Sequence, residues 1–197
     1  MKIVLASNNS GKICELQAAT KKFNFTVIPQ SELHVTDILE NGLTFVENAL
    51  IKARHACRHT GLPVIADDSG LVVSALHGKP GIYSARYAGP QADAAANIQK
   101  LLAELKNIPE MHRQAYFFCA LVFMSHAEDP APLISQGTWQ GTILNEPTGK
   151  AGFGYDPIFY VPTEQCSAAE LSIEKKNHLS HRGQAIRALL TQIPDKK

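Results

Sequence analysis

Two adjacent carboxylates at the end of an apolar run are the residues best suited to do chemistry. Residues 64–66 (Val-Ile-Ala) are followed by Asp67-Asp68-Ser69-Gly70. The apolar run predicts a buried strand and Ser-Gly predicts a turn, so the acids are expected where a strand leaves the core. If the strand continues through the pair, only one acid can point directly into a given site, because neighbouring side chains on a strand face opposite ways. Taken alone, these four residues more often form an acidic turn.

A polar loop near the start of the chain is suited to phosphate. Ser7-Asn8-Asn9-Ser10-Gly11-Lys12 lies between a predicted strand at 2–6 and a predicted helix at 13–22. Loop amides and a helix N-terminus favour an anion, and Lys12 adds positive charge. The loop is not a P-loop, because its glycine spacing differs and Ile13 stands where a magnesium-binding hydroxyl is required. An ordinary strand-to-helix turn is the alternative.

Two later segments carry groups that suit a flat base. The segment 152–157 reads Gly-Phe-Gly-Tyr-Asp-Pro and lacks the third glycine of a dinucleotide fingerprint. Its ring, Phe153, is suited either to stack on a base or to pack in the core. The basic segment 175–183 includes His181 and Arg182, which offer donors for a carbonyl or phosphate, although a solvated basic turn is an alternative.

The composition excludes several classes of protein. The 197 residues have a formal net charge of +1, with 45% apolar and 19% charged residues, as in ordinary globular proteins. This balance argues against coating of nucleic acid or membrane by bulk charge. The four cysteines form no C-x-x-C pair, and neither a signal peptide nor an apolar run of about 20 residues is visible. We therefore expect a cytoplasmic protein with no nucleic-acid or membrane partner.

Strand and helix patterns alternate along the chain. The strongest helix pattern covers 42–59, and a second covers 92–106; long strands are predicted at 115–125 and 133–144. The first helix has an apolar stripe made of Leu43, Val46, Leu50, Ala53 and Cys57. No repeat or linker interrupts residues 1–197. The pattern predicts one α/β domain that is folded as two lobes with a cleft between them.

Each of these signals is weak alone, but together they combine phosphate-binding groups, paired acids, an aromatic ring and base-edge donors. That set is typical of a site for a nucleotide with a divalent metal.

The motifs also resemble a known family. The chain is similar to the inosine/xanthosine triphosphate pyrophosphatases, and most of all to their bacterial dITP/XTP branch, from the first predicted strand to the last helix. Six ordered motifs carry this resemblance: Ser7-Asn8-Asn9-x-Gly11-Lys12, Phe45-Val46-Glu47-Asn48-Ala49-x-x-Lys52-Ala53, Ala66-Asp67-Asp68-Ser69-Gly70-Leu71, Pro80-Gly81-Ile82-Tyr83-Ser84-Ala85-Arg86, Gly152-Phe153-Gly154-Tyr155-Asp156-Pro157 and Ser180-His181-Arg182-Gly183.

The resemblance implies a Mg²⁺-dependent hydrolase. Its expected reaction converts dITP, ITP or XTP to the nucleoside monophosphate and pyrophosphate, which keeps deaminated purines out of nucleic acids. The expected fold has two lobes around an elongated mixed β-sheet with flanking helices and an active-site cleft between the lobes. A homodimer is implied as well.

The resemblance also assigns roles to residues of this chain. Asp68 is implied to be the proton acceptor and a metal ligand, with Glu40 a second metal-binding acid and Asp67 a supporting one. Substrate-binding roles are implied for Ser7, Asn8, Asn9, Ser10, Gly11, Lys12 and Lys52 at the phosphates, for Ser69, and for Phe153, Gly154, Tyr155, Asp156, Lys176, His181 and Arg182 at the nucleoside.

Two other functions remain open from the sequence. One is a pyrophosphatase for modified pyrimidine nucleotides, and the other is a nucleotide-binding module that performs no chemistry. The second would need the phosphate and base groups but not both Glu40 and Asp68.

Overall fold

Seven strands of the described chain form one mixed sheet. The computed structural model describes residues 1–20, 23 and 25–193, and within them the sheet order is β2-β1-β3-β4-β5-β6-β7. Strand β1 is parallel to β2 and β3, whereas β6 is antiparallel to β5 and β7. The strands are β1 Lys2–Leu5, β2 Thr26–Pro29, β3 Val64–Val73, β4 Gln114–Met124, β5 Leu133–Ile143, β6 Phe159–Val161 and β7 Cys166–Ser167.

Helices flank this sheet, as expected for an α/β chain. They are α1 Ser10–Thr20, α2 Phe45–Thr60, α3 Ala94–Glu104, α4 Ile173–Leu179 and α5 His181–Leu190. The predicted helix at 13–22 corresponds to α1, which begins three residues earlier; Lys21 and Lys22 lie outside the described residues. Every helix in the described ranges is too short or too polar to span a lipid bilayer.

The start of α2 differs from the prediction. Thr44 is its N-cap and forms a capping box with Glu47, so the helix begins at Phe45 and not at Gly42. Leu43 therefore precedes the helix and is 84% exposed, which removes it from the predicted apolar stripe. The buried positions of α2 are Asn48, Ala49, Ala53, Ala56 and Cys57.

The chain divides into two compact units. The first comprises the described residues of 1–68, 119–137 and 182–197, and the second comprises 69–118 and 138–181. The prediction that residues 1–197 form a single domain stays a prediction.

Strand alternation organises the core of the first unit. Ile3, Leu5 and Ile65 belong to one buried cluster with residues of α1 and α5. Their neighbours Val4, Val64 and Ala66 belong to a second cluster, with alanines of α2. Successive strand residues thus face different helices, and the same alternation extends to the two acids that follow Ala66.

Aromatic rings fill the core of the second unit. Phe117 packs on Phe159 at a centroid distance of 4.5 Å, and Phe159 packs on Trp139 at 5.3 Å. Leu71 and Val73 at the end of β3 belong to the same cluster. Because these two residues are buried, β3 continues through Ser69 and Gly70 as one strand, and the predicted turn after the acids is wrong.

Candidate functional site

Asp67 lies at the centre of a buried group of charges in the first unit. Its Oδ2 is 2.8 Å from Lys12 Nζ on α1 and 3.6 Å from Arg182 Nε on α5. Arg182 also donates through Nη1 to Glu15 Oε2 at 2.7 Å. Asp67 is 2% exposed and Arg182 is 4% exposed, so water screens these charges little.

Asp68 has a different set of hydrogen-bond and ion-pair partners, which among the described residues lie on α2. Lys52 Nζ is 3.4 Å from Asp68 Oδ1 and 3.1 Å from Glu40 Oε1, so one ammonium group forms ion pairs with both acids. Asn48 Nδ2 donates to the other oxygen of Asp68 at 3.2 Å. The structure therefore brings together Glu40, Lys52 and Asp68, three residues that the sequence placed in the site.

The two neighbouring acids have pKa values shifted in opposite directions. Burial by itself would raise the pKa of Asp67, but the positive charges of Lys12 and then Arg182 outweigh it and hold the pKa well below its ordinary value. For Asp68, burial raises the pKa, and the charge of Glu40 adds to this although Lys52 opposes it. A carboxyl with a raised pKa accepts a proton more readily, which suits a general base.

Lys52 is held in its charged form by its acidic neighbours. Burial would lower its pKa, but Asp67, Asp68 and Glu40 together raise it above the ordinary value. The ammonium is therefore a stable positive charge between two carboxylates, which is the position that a metal ion or a phosphate-binding lysine would occupy.

The predicted phosphate loop follows β1 directly. The side chain of Asn9 accepts from the N–H of Lys12 at 3.1 Å, as an N-cap residue does at the start of α1. Ser7 is half-buried, Asn8, Asn9 and Ser10 are exposed, and Gly11 and Lys12 are half-buried in the first turn of the helix. Exposed polar residues at a helix N-terminus beside a lysine suit a phosphate.

A second group of predicted residues comes together in the second unit. Lys176 on α4 forms an ion pair with Asp156, and its Nζ lies 4.5 Å from the centroid of the Phe153 ring. Asp156 also accepts from the backbone N–H of Phe153 at 2.8 Å. Gly154 has φ +61°, a conformation that favours glycine. The ring of Phe153 is 40% exposed, so it is available for stacking rather than packed in the core.

The other predicted residues of this unit have defined surroundings. His181 is buried, and its ring stacks on Phe117 at 4.9 Å. Tyr155 is buried, and its hydroxyl donates to the carbonyl of Ser84 at 2.9 Å. Burial raises the pKa of this phenol, so it stays protonated at neutral pH. Ser69 is half-buried on β3 next to Asp68.

The segment from Pro80 to Arg86, which the sequence left without a chemical role, supports neighbouring parts of the second unit. The hydroxyl of Ser84 accepts from the N–H of Leu71 at 2.9 Å, and the carbonyl of Ser84 accepts from Tyr155. Ser84 thus connects the end of β3 to the segment that carries Phe153 and Asp156.

Two residues in these groups received no role from the sequence, although Asn48 lies in one of the quoted motifs. Asn48 is a polar residue on the buried face of α2, and its spacing of four from Lys52 places both on one side of that helix. Glu15, on α1, is the ion-pair partner of Arg182. The spacing signals Asn48, whereas nothing in the sequence signals Glu15, since its partner is 167 residues away.

The carboxylates of Glu40 and Asp68 are suited to bind one Mg²⁺ ion together. In the described part of the chain, no group of three or more His, Cys, Asp or Glu side chains is arranged to hold a metal. Glu40 and Asp68 nevertheless face one cationic group, Lys52 Nζ. Mg²⁺ is commonly bound by one or two carboxylates together with substrate phosphates and water, and this pair fits that mode.

The chain is similar to proteins of one family along most of its length. A model of the Ham1 family matches residues 3–192. The dITP/XTP pyrophosphatase of Yersinia pseudotuberculosis is 57% identical over 194 residues, which are 98% of each chain. The solved structure of a HAM1 protein from Coxiella burnetii is 52% identical with a TM-score of 0.92, and the match covers 98% of this chain and 100% of that one.

A second solved structure agrees. The nucleoside-triphosphatase / dITP/XTP pyrophosphatase of Mycobacterium abscessus is 42% identical with a TM-score of 0.79, over 98% of this chain and 100% of that one. These likenesses confirm the α/β fold with a mixed sheet and flanking helices that the sequence predicts.

Proposed function

This chain belongs to the Ham1 family, and we propose on that basis that it hydrolyses the non-standard purine nucleoside triphosphates dITP, ITP and XTP to the monophosphate and pyrophosphate. The family resemblance seen in the sequence is confirmed by this membership. The observation that carries the proposal is the pair of acids Glu40 and Asp68 around one cationic group. The consequence of the reaction is removal of deaminated purines from the nucleotide pool.

The proposed reaction is attack by water on the α-phosphorus. Asp68 accepts a proton from the water, whose oxygen forms a bond to the α-phosphorus while the bond to the α–β bridging oxygen breaks and pyrophosphate leaves. Lys12, Lys52 and the loop of residues 7–12 offset the phosphate charge and hold the phosphates in line. Asp68 is buried, and Lys52 and Asn48 hold its two oxygens, which supports its role as proton acceptor.

Glu40 and Asp68 are the residues that we propose to hold Mg²⁺, with Asp67 as a supporting acid. When bound, the ion supplies positive charge to the phosphates during the reaction. The short contact of Asp67 to Lys12 supports an indirect role for Asp67, in which it places the lysine that faces the phosphates.

The nucleoside is proposed to contact Phe153, Gly154, Tyr155, Asp156, Lys176, His181 and Arg182. Phe153 would stack on the base, as its exposure and the neighbouring ammonium of Lys176 support. Hypoxanthine and xanthine have an acceptor at position 6, whereas adenine has a donor there. A protein donor that faces the adenine amino group is left unpaired, at a cost of about 1–3 kcal/mol.

The homodimer, the cytoplasmic location and the dependence on Mg²⁺ stay predictions. The described helices offer no membrane span, and the near-neutral net charge of +1 argues against binding to nucleic acid by bulk charge.

A triphosphate panel tests the proposed function. The protein is incubated with dITP, ITP, XTP, the four common deoxynucleotides and modified pyrimidine triphosphates, with and without Mg²⁺, and pyrophosphate is measured against orthophosphate. We expect pyrophosphate from the three non-standard purines in the presence of Mg²⁺. Release of orthophosphate would indicate a phosphatase. A preference for modified pyrimidine triphosphates would indicate a pyrophosphatase for modified pyrimidine nucleotides. Binding without release of either product would indicate a non-catalytic module.

A further inference from the structure

The side-chain amide of Asn48 connects Asp68 to the segment that carries Glu40. Asn48 lies in the first turn of α2 and is 0% exposed. Its Nδ2 donates to Asp68 Oδ2 at 3.2 Å, and its Oδ1 accepts from the backbone N–H of Gly42 at 2.9 Å. Gly42 is two residues after Glu40, so one side chain contacts both acid-bearing parts of the first unit.

Hydrogen-bond chemistry supports this orientation of the amide. A backbone N–H can only donate, so the oxygen of Asn48 faces Gly42 and its NH₂ faces Asp68. The reversed amide would set a donor against a donor and an oxygen against a carboxylate. Leaving such buried groups unpaired is costly, and the observed orientation is the one that satisfies all of them.

The contact at Gly42 requires a residue without a side chain. A Cβ at that position would lie 2.6 Å from the Cβ of Glu47 and 2.8 Å from Asn48 Oδ1. Real Cβ atoms do not approach other atoms so closely, so the segment fits against α2 only because residue 42 is glycine.

Asn48 acts together with Lys52, which follows it by one turn of α2. Lys52 lies 3.4 Å from one oxygen of Asp68, and Asn48 holds the other oxygen. Both oxygens of this carboxylate are therefore oriented from the same helix. A carboxylate held at both oxygens has little freedom to rotate, which is what a proton acceptor at a reacting centre needs.

We propose that Asn48 is a positioning residue for the hydrolysis: it orients Asp68 and holds the segment of Glu40 so that both carboxylates face one cation. The inference rests on the proposed function. It assigns to Asn48 no contact with the substrate. Partners that orient the residues around a metal commonly matter nearly as much as the ligands themselves.

Glu47 provides a matched control within the same helix turn. Its carboxylate accepts from the N–H groups of Leu43 and Thr44, both at 2.8 Å, so it also anchors the segment before α2. In the described part of the chain, the hydrogen bonds of the Glu47 side chain go to Leu43 and Thr44, whereas Asn48 bonds Asp68. A general effect of loosening this segment would appear equally in Glu47→Ala and Asn48→Ala.

Steady-state kinetics with ITP and saturating Mg²⁺ distinguish positioning of Asp68 by Asn48 from a general loosening of the segment before α2. Asn48→Ala is expected to lower kcat by about 10- to 100-fold while KM for ITP changes less than about 3-fold. Glu47→Ala is expected to lower the thermal midpoint of unfolding but to keep kcat within about 3-fold of the wild type. Asn48→Asp, which has the same size and keeps an acceptor for Gly42, is expected to lose kcat as Asn48→Ala does.

A binding measurement adds a readout that needs no turnover. Mg²⁺ is titrated by calorimetry into each protein saturated with α,β-methylene-ITP, which cannot release pyrophosphate. We expect the apparent Kd for Mg²⁺ to rise about 10-fold in Asn48→Ala and to stay unchanged in Glu47→Ala.

The inference is overturned if folded Asn48→Asp keeps wild-type kcat, or if Glu47→Ala loses as much kcat and Mg²⁺ affinity as Asn48→Ala. Failure of the proposed function is a separate result, because the wild type itself would then release no pyrophosphate from ITP.

Discussion

Asp67 and Asp68 are consecutive residues of one strand, yet positive groups on different helices neutralise them. Lys12 Nζ on α1 lies 2.8 Å from Asp67, whereas Lys52 Nζ on α2 lies 3.4 Å from Asp68. Strand geometry explains the division, because neighbouring side chains point to opposite faces of a sheet. The strongly paired Asp67 has a lowered pKa, and Asp68, which shares its lysine with Glu40, has a raised one. Substitution of Asp67 is therefore expected to affect mainly stability, and substitution of Asp68 mainly turnover.

Asp67→Asn is expected to destabilise the protein. Removing the carboxylate takes an ion-pair partner from the half-buried Lys12 and leaves the buried Arg182 paired with Glu15, which should lower the free energy of unfolding by about 3 kcal/mol at pH 7. Urea unfolding measures this difference. Glu146→Gln, which removes the same charge from an exposed residue, is the control and should cost less than about 0.5 kcal/mol.

The loss in Asp67→Asn should also depend on pH. Because the folded state lowers the pKa of Asp67, its stabilisation is present above the unfolded pKa of about 4 and is lost as the pH falls below that value. The gap between wild type and variant is thus expected to stay constant from pH 7 to about pH 5 and to narrow as the pH falls below about 4. A gap that also stays constant below about pH 4 would contradict the ion-pair explanation.

Asp68→Asn is expected to lose turnover and keep its stability. Loss of the proton acceptor should lower kcat for ITP by about 10²- to 10⁴-fold. Since burial and Glu40 disfavour the charge of Asp68, its removal should leave the urea midpoint at neutral pH equal to that of the wild type or higher. Near-normal release of pyrophosphate would remove Asp68 from the catalytic role, whatever the stability.

Arg182→Ala tests whether this arginine distinguishes hypoxanthine from adenine. If it does, kcat/KM for ITP divided by kcat/KM for ATP should fall by about 10-fold. Because Arg182 is an ion-pair partner of Asp67 and Glu15, this variant should also be less stable. Glu15→Gln is the control, since it weakens the ion pair and keeps the guanidinium, and it should retain the preference. An unchanged ratio in Arg182→Ala would leave the arginine with a structural role only.

Phe153→Ala is expected to weaken substrate binding without unfolding the protein. Stacking on a base contributes about 1–3 kcal/mol, so KM for ITP should rise by about 10-fold or more. The ring is 40% exposed, and its loss should leave the thermal midpoint nearly unchanged. Tyr83, another exposed ring of the second unit, provides a comparison, because Tyr83→Ala should leave KM as it is. Equal KM values for the two variants would argue against stacking by Phe153.

Cys57 and Cys14 should differ in reactivity. Burial raises the pKa of the Cys57 thiol to about 11, and its Sγ donates to the carbonyl of Met124 at 3.6 Å, whereas Cys14 is exposed. The thiolate is the reactive form, so iodoacetamide at pH 8 should modify Cys14 first and Cys57 only after denaturation. Mass spectrometry of the digested protein follows both sites. Rapid labelling of Cys57 in the folded protein would contradict its burial.

The sequence predicts the elements of the fold well where periodicity is strong. The helix pattern at 92–106 corresponds to α3, and the strands predicted at 115–125 and 133–144 agree with β4 and β5 to within one residue. The turn predicted at Ser69-Gly70 is wrong, because burial of Leu71 and Val73 extends β3 beyond these two turn-forming residues. Tertiary packing here overrides local preference.

Most of the predicted site residues lie in the six motifs, although Glu40 and Lys176 were predicted outside them. The motifs included Glu47, Asn48 and Lys52, but nothing local in the sequence distinguishes the capping role of Glu47 from the contact that Asn48 makes with Asp68. The pairing of Glu15 with Arg182 joins α1 to α5 and follows only from the folded chain. Sequence spacing describes neighbours along an element, whereas these contacts depend on how elements pack.

The burial of β3 has a consequence for motion. Its ten residues are buried except at Ser69 and Val72, while the segment from Asp37 to Leu39, just before Glu40, is exposed. Amide protons of a buried central strand exchange with solvent mainly through global unfolding, and those of exposed segments exchange through small local openings. Asp68 therefore belongs to the slowest-opening part of the chain, and Glu40 follows a fast-opening part. Amide hydrogen exchange is therefore expected to be slower at Asp68 than in the exposed residues 37–39.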